Sequence, residues 1–355
     1  MKRRTQLQLA VCAAQAKAAA RAVASTAAVT GVAAATAVAA VFAAFFTVAP
    51  APAFAQSYPA KPVRMIIPFP PGGATDILGR VLAQKLTDQL GQSVVVENRP
   101  GAGGAIGSEM TAKAAPDGYT IQMATVSTHS IGPALNPKTP YNVKRDFAPV
   151  IQVADSTNVL IASPLLPVNN VKELIAYAKA NPGKLNYSSS GNGTIVHMTG
   201  EMFKMQAGVF AVHIPYKGTA LAIPDLIAGQ IGFMFDNISS ALPHVKGGKV
   251  KTLGVSQLKR SPLLPEVPTM DEAGLKGFES NTYFGVFAPA GTPAAIVQKL
   301  NAEINKALQA ADFRERLASN GAEPVGGTPE QFARVIDSEA VKYAAVIKRA
   351  GIKPE

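Results

Sequence analysis

The chain has 355 residues, and 48% hydrophobic against 16% charged side chains marks it as a folded chain, not a disordered one. Its single cysteine, Cys12, rules out an intramolecular disulfide framework. The formal charge of +11 invites nucleic acid, an anionic membrane surface or small acidic molecules as partners, and the N-terminus decides how much of it matters.

Residues 1–55 carry Lys2, Arg3, Arg4, Lys17 and Arg21, no acid and 23 alanines, with an uncharged apolar stretch from Ala22 to Val48. A basic start, an apolar core and small residues at the end form the pattern of an export signal. Ala53-Phe54-Ala55 fits the small-x-small rule and places cleavage after Ala55. The competing reading is an uncleaved anchor, because the stretch exceeds the roughly 20 residues that cross a bilayer. Pro50 and Pro52 beside the cleavage motif favour removal. Arg3-Arg4 is followed by Thr5, Gln6 and Leu7, a weak match to a twin-arginine signal, and Cys12 precedes the apolar core, where a lipoprotein cysteine would follow it. Removal leaves 300 residues with 29 basic and 23 acidic side chains, about +6, and no cysteine. With no tryptophan and no basic run interleaved with aromatics, a nucleic-acid partner is not expected, and the remaining charge suits small anions.

From Val63 onward short β-branched runs alternate with amphipathic segments, the signature of an α/β fold. Val63–Ile67 is predicted as a buried strand, and Ile77, Leu78, Val81, Leu82, Leu86 and Leu90 recur at helical spacing until Gly91. Strands follow at 94–96 and 119–125, separated by a glycine loop and a helix ending near Ala115. The second half repeats the rhythm: strand 159–161, a helix over 171–180 capped by Asn170 with Glu173, strand 185–187 and a helix through Met202. Strand 212–214, a helix to Ala228 and strands 231–235 and 250–255 come next. Helices at 293–310, 313–319 and 329–348 close the chain, the last capped by Thr328 with Gln331. Three hundred residues exceed one ordinary core, so two α/β domains are expected. Residues 56–157 plus 282–355 form one and 158–281 the other, joined by extended segments at 148–153 and 282–288. A two-strand hinge over a cleft is a closing device for a small ligand.

Two strand-to-helix loops carry most of the chemistry. In Pro68-Phe69-Pro70-Pro71-Gly72-Gly73-Ala74-Thr75-Asp76, prolines fix the backbone and glycines permit close approach at a helix N-terminus, which favours an anion. The loop lacks the Gly-Lys of a nucleotide-binding P-loop, and its plain alternative is a tight turn capped by Asp76. Ser188-Ser189-Ser190-Gly191-Asn192-Gly193-Thr194 offers hydroxyl, amide and backbone donors suited to a carboxylate. None of its serines sits in a G-x-S-x-G elbow. Gly101–Gly107 imitates a dinucleotide loop with its last glycine one place late, so it reads as a turn that lets a helix lie close to the sheet. His129, His197, His213 and His244 have no metal-ligand spacing, and no metal or cofactor is implied. His129 follows Ser127 and Thr128 at a strand end, where it could line the cleft. His197 either holds the serine loop or touches ligand, and His213 reads as a core residue. Asp236, before Asn237 at another strand end, either caps the next helix or faces the cleft, where it would select an ammonium group or order a water.

These motifs resemble the Bug family, the TctC-like extracytoplasmic receptors related to tripartite tricarboxylate transporters. The resemblance runs through Tyr58–Arg64, Pro68–Asp76, Glu97–Gly104, Ala115–Tyr119, Tyr187–Thr194 with His197, Pro215–Gly218 and Glu266–Thr269, and so covers the mature chain in order. It implies a type II periplasmic-binding-protein fold with a ligand shut between two α/β domains. The carboxylate-clasping positions carried over are Phe69, Pro70, Pro71, Gly72 and Gly73, facing Ser189, Ser190, Gly191, Asn192 and Thr194. Ser127, Thr128, His129, Asp236 and Asn237 fall where the variable end of the ligand is read. The expected function is a monomeric periplasmic solute-binding protein for a small carboxylate, whether a di- or tricarboxylate, an acidic amino acid or an aromatic acid. It would deliver that ligand to membrane transporter subunits of the tripartite type. The alternatives are a ligand-loaded partner of a membrane sensor kinase and a secreted hydrolase using Ser190 and His197.

Overall fold

A computed structural model describes residues 58–354, so the expected export signal and cleavage site lie outside the described residues. Among the described residues ten strands run in chain order: β1 Val63–Ile67, β2 Val94–Asn98, β3 Thr120–Thr125, β4 Phe147–Ala162, β5 Asn186–Ser189, β6 Val212–Pro215, β7 Phe233–Asn237, β8 Lys251–Val255, β9 Asn281–Pro289 and β10 Ala322–Pro324. They form one path, β2-β1-β3-β9-β4-β7-β5-β6, with β8 and β10 also paired to β4. At each end the strands are parallel: β1 with β2 and β3, β5 with β6 and β7. The antiparallel β4 and β9 join the two ends.

The main helices are α1 Ala74–Leu90, α2 Ala105–Ala112, α3 Val171–Ala180, α4 Ile195–Ala207, α5 Thr219–Ile227, α6 Ile238–Lys246, α7 Ala294–Gln309, α8 Ala311–Ser319 and α9 Pro329–Ala350. Their ends follow the local chemistry read from the sequence. Gly91 takes a left-handed φ of 66° and returns its N–H to Thr87 O, ending α1. Asn170 Oδ1 accepts the Glu173 N–H at 2.9 Å at the start of α3. Thr328 and Gln331 exchange side-chain bonds at the start of α9.

One expectation is corrected. The segments at 148–153 and 159–161 are a single strand, β4, because residues 150–162 contain no glycine or proline to end it. Register shifts between Pro149 and Ile151, Gln152 and Ala154, and Leu160 and Ile161 bend it instead. Residues 147–157 pair with β9, and 158–162 pair with β7 and β8.

Each end of the sheet has its own apolar packing, with Met65, Leu78, Ile121 and Leu300 in one cluster and Ile161, Leu226, Met234 and Leu242 in the other. A third cluster, containing Phe147, Tyr187, Phe233, Phe287 and Phe332, spans both. Each such side chain contributes roughly 1.5–3 kcal/mol on burial. Among the described residues no helix is long and apolar enough to cross a membrane.

Candidate functional site

Because the parallel strands at both ends hand over to helices at their C-terminal edges, several strand-to-helix turns face one another. The N-caps of α1, α4 and α5 are Gly73, Thr194 and Gly218, and none makes a side-chain capping bond. Gly73–Thr75, Ile195–Val196 and Gly218–Ala220 line a common inner chamber of about 50 Å³. Three helix N-termini direct partial positive charge into it. The chamber shares Phe69, Pro70, Ser127 and Ser190 with an outer vestibule of about 450 Å³.

Only part of the first loop faces this space. Phe69, Pro70 and Gly73 line the chamber, whereas Pro71 and Gly72 sit exposed at the tip. Asp76 is buried beneath the loop, where it accepts the Gly72 N–H at 3.0 Å, Arg80 Nε at 2.9 Å and Asn98 Nδ2 at 2.9 Å. Burial pushes its carboxyl upward, but Arg80, Asn98 and Gly72 overcome that and hold it below the usual range. Asn98 also donates to Phe69 O at 3.0 Å, fixing the loop from β2. Asp76, expected among the ligand contacts, is therefore a brace for the loop.

The serine loop divides in the same way. Ser190 lines both spaces, while Gly191 and Asn192 line the vestibule. Fully buried Ser189 accepts the Gly191 N–H at 3.1 Å and lies 2.7 Å from His213 Nε2. The Thr194 hydroxyl donates to Gly191 O at 2.7 Å. His197 Nδ1 accepts the Gly193 N–H at 3.2 Å, and its ring stacks on His213 at 3.8 Å. Burial, then the neighbouring His213 and Lys204, pushes His197 down to about 3. His213, half-buried and not a plain core residue, is pushed down to about 4, chiefly by burial. Both rings are neutral supports, and no hydrogen bond joins Ser190 to His197 among the described residues.

After β3 the chain enters a π turn over Ser127–Ile131, which sends consecutive side chains in different directions. Ser127 lines the chamber and accepts the Ile195 N–H at 3.0 Å, linking the end of β3 to the start of α4. The Thr128 hydroxyl folds back onto Thr125, donating to its carbonyl and accepting its N–H. His129, expected in the cleft, stacks on Phe287 at 4.0 Å beside Phe147, outside both spaces. Burial pushes it down to about 3.

Asp236 and Asn237, at the end of β7, do line the chamber and are 1% and 5% exposed. Asn237 caps α6 by accepting the Ser239 N–H at 3.1 Å, so the capping role open to Asp236 falls to its neighbour. Burial pushes Asp236 up to about 7, against the lowering influence of Ser240, the Asn237 N–H and Thr219.

Sequence reasoning missed Gly218, Thr219, Thr75 and Thr282 on the chamber wall. Gly218 had a visible signal, since Tyr216-Lys217-Gly218 is a third glycine turn between a strand and a helix. Its φ is 131°, and a Cβ there would lie 2.6 Å from Pro70 Cγ, so the α5 turn meets the first loop only through glycine. The Gly101–Gly104 loop also reaches the site: a Cβ on Gly103 would lie 3.0 Å from Asn192 O at the vestibule rim.

Residues 78–352 match the profile of the tripartite tricarboxylate transporter family receptor. The chain belongs to that family. Protein BugT of Bordetella pertussis is 41% identical over 314 residues, spanning 88% of this chain and 96% of BugT. The solved structure of R. palustris Rpa4515 with adipate matches with a TM-score of 0.82 and 37% identity, over 84% of this chain and 100% of that one. MatC from Rhodopseudomonas palustris with bound malate matches with a TM-score of 0.78 and 34% identity, over 82% of this chain and 100% of MatC. The solved structure of periplasmic binding protein BugD matches with a TM-score of 0.80 and 39% identity, over 84% of this chain and 100% of BugD, so the receptor has the α/β periplasmic-binding-protein fold that its motifs implied, with β4 and β9 joining the two ends of the sheet. It is a binding protein and not an enzyme, which disposes of the hydrolase reading.

Proposed function

We propose that the receptor captures a small carboxylate in the chamber and delivers it to membrane subunits of a tripartite-type transporter. The observation that carries this reading is the convergence of three helix N-termini, none capped by its own N-cap side chain, on a chamber that no lysine or arginine lines. Backbone N–H groups of α1, α4 and α5, with the hydroxyls of Ser127 and Ser190, are the donors. A charge-assisted hydrogen bond contributes about 1.5–3 kcal/mol, so four give roughly 6–12 kcal/mol before ordering and desolvation costs. Micromolar affinity requires about 8 kcal/mol. The inner space of about 50 Å³ suits one carboxylate head, with the body of the ligand extending past Phe69 and Ser190 into the vestibule. The adipate and malate of Rpa4515 and MatC support the same ligand class.

Closure takes place between residues 56–157 plus 282–355 and residues 158–281, about β4 and β9, and the Ser127–Ile195 bond belongs to the closed form. The mature receptor is a periplasmic monomer from which residues 1–55 have been removed. Titration calorimetry against mono-, di- and tricarboxylates and acidic amino acids tests the reading. Saturable binding of at least one is expected, and binding of none overturns it.

A further inference from the structure

We propose that Asp236 and Asn237 together read one carboxyl group of the ligand, with a single proton taken from solvent shared between the Asp236 carboxyl and that ligand carboxylate. This rests on the receptor reading above and adds to it the chemical form in which the ligand is held.

The two side chains have their inner atoms filled and their outer atoms empty. Asp236 Oδ1 accepts the Asn237 N–H at 2.8 Å, and Asn237 Oδ1 accepts the Ser239 N–H at 3.1 Å; Ser156 Oγ also lies 3.1 Å from it but has the nearer acceptor Gly321 O at 2.7 Å. Asp236 Oδ2 and Asn237 Nδ2 are buried without partners. The Ser240 and Thr219 hydroxyls both favour an ionised Asp236, but Ser240 gives its proton to Asn237 O at 3.0 Å. Unpaired buried polar atoms are costly, and two of them on the wall of one chamber point to a ligand that completes both.

A carboxyl group sharing one proton fits this pair. One ligand oxygen accepts from Asn237 Nδ2, and the other shares the proton with Asp236 Oδ2; no bond other than the O–H changes. A primary ammonium would satisfy Oδ2 but set a cation against the Asn237 amide hydrogens. A fully ionised carboxylate would face an ionised aspartate at a buried position, where two like charges do not both persist.

Asp236 is the one ionisable side chain among the residues lining the chamber. Those on the surrounding elements turn elsewhere. Asp76 of α1 binds Arg80 and Asn98, Asp225 of α5 accepts from Tyr216, and His197 of α4 accepts from Gly193. Asp155 of β4 accepts from Gln152, Tyr283 of β9 bonds Ser130, and Lys251 of β8 donates to Leu166 O. His244 and Lys246 lie at the far end of α6. Burial already holds Asp236 near neutrality, and a ligand carboxylate beside it raises it further.

The experiment is calorimetry of the full mature receptor with adipate, malate, citrate and glutamate, in phosphate and Bis-Tris at pH 6 and in phosphate and Tris at pH 8, pairs of buffers whose ionisation enthalpies differ. For the dicarboxylate or tricarboxylate that binds, uptake of about one proton per ligand is expected at pH 8, falling toward zero at pH 6, with affinity weakening about tenfold per unit above pH 8. D236N, which keeps the shape but carries no titrating proton, is expected to bind without uptake and without that pH dependence. The wild-type uptake decides the matter even if the variant does not fold. Saturable binding with no proton uptake at pH 8 overturns the inference and leaves the receptor reading standing. Preference for glutamate with affinity rising with pH overturns it in favour of an ammonium at Asp236. No binding of any probe at either pH strikes the receptor reading itself.

Discussion

Asp76 and Asp236 are both aspartates at strand-to-helix turns of one cleft, and they do opposite work. Three donors converge on Asp76, and its carboxyl is held below the usual range. Asp236 has a single backbone donor to Oδ1 and none to Oδ2, and burial outweighs that donor and the Ser240 and Thr219 hydroxyls and drives it up to about 7. What separates them is the supply of donors, not residue type or position in the motif. A carboxylate with enough donors becomes part of the frame, and one left short is available to a ligand.

Removing the framed member should have the largest effect. Asp76→Ala strands the Gly72 N–H, Arg80 and the Asn98 amide together, with a loss of about 2–4 kcal/mol in urea denaturation and loss of carboxylate binding as the loop slackens. Asp236→Asn should cost the fold little at pH 8 by the same measurement. Next comes Gly218→Ala, which puts a methyl against Pro70 on a backbone that disfavours a side chain; calorimetry should show affinity reduced by about 1–3 kcal/mol.

Stability against pH separates the two aspartates by sign. Asp76, lowered in the folded state, contributes stability above the ordinary aspartate range that is lost as pH falls through its folded value. Asp236, raised to about 7, contributes stability at low pH that is lost as pH rises from about 4 to about 7. His129, His197 and His213, pushed down to about 3, 3 and 4, favour the folded state above about 6.5 and withdraw that support as pH falls. The wild type should therefore gain stability from pH 4 to 6.5, and D236N more steeply, by up to about 1.4 kcal/mol per pH unit. The smallest effect on binding belongs to His129→Phe, which keeps a ring on Phe287 outside the cleft: affinity should be unchanged in calorimetry, and stability should shift by less than about 1.5 kcal/mol.

The punctuation of the chain made the frame legible. Prolines and glycines at 68–73 and 191–193 marked the facing loops, Gly91 ended α1, and Thr328 with Gln331 began α9. Side-chain direction was less accessible. The π turn after β3 separates Ser127 from Thr128 and His129, which a continuing strand would have sent to alternating faces. The role of Asp76 depends on Asn98, a partner 22 residues away on another strand that no local pattern reveals. Gly218 was readable as a glycine turn, but that it meets Pro70 follows only from the sheet order.

A crystal structure of the receptor with adipate or malate tests the capture site at its atoms. The expected result is one carboxylate in the inner chamber, within about 3 Å of backbone N–H groups at the starts of α1, α4 and α5, with the rest of the ligand passing Phe69 and Ser190. A ligand lying wholly in the vestibule, with the inner chamber left to water, would contradict it.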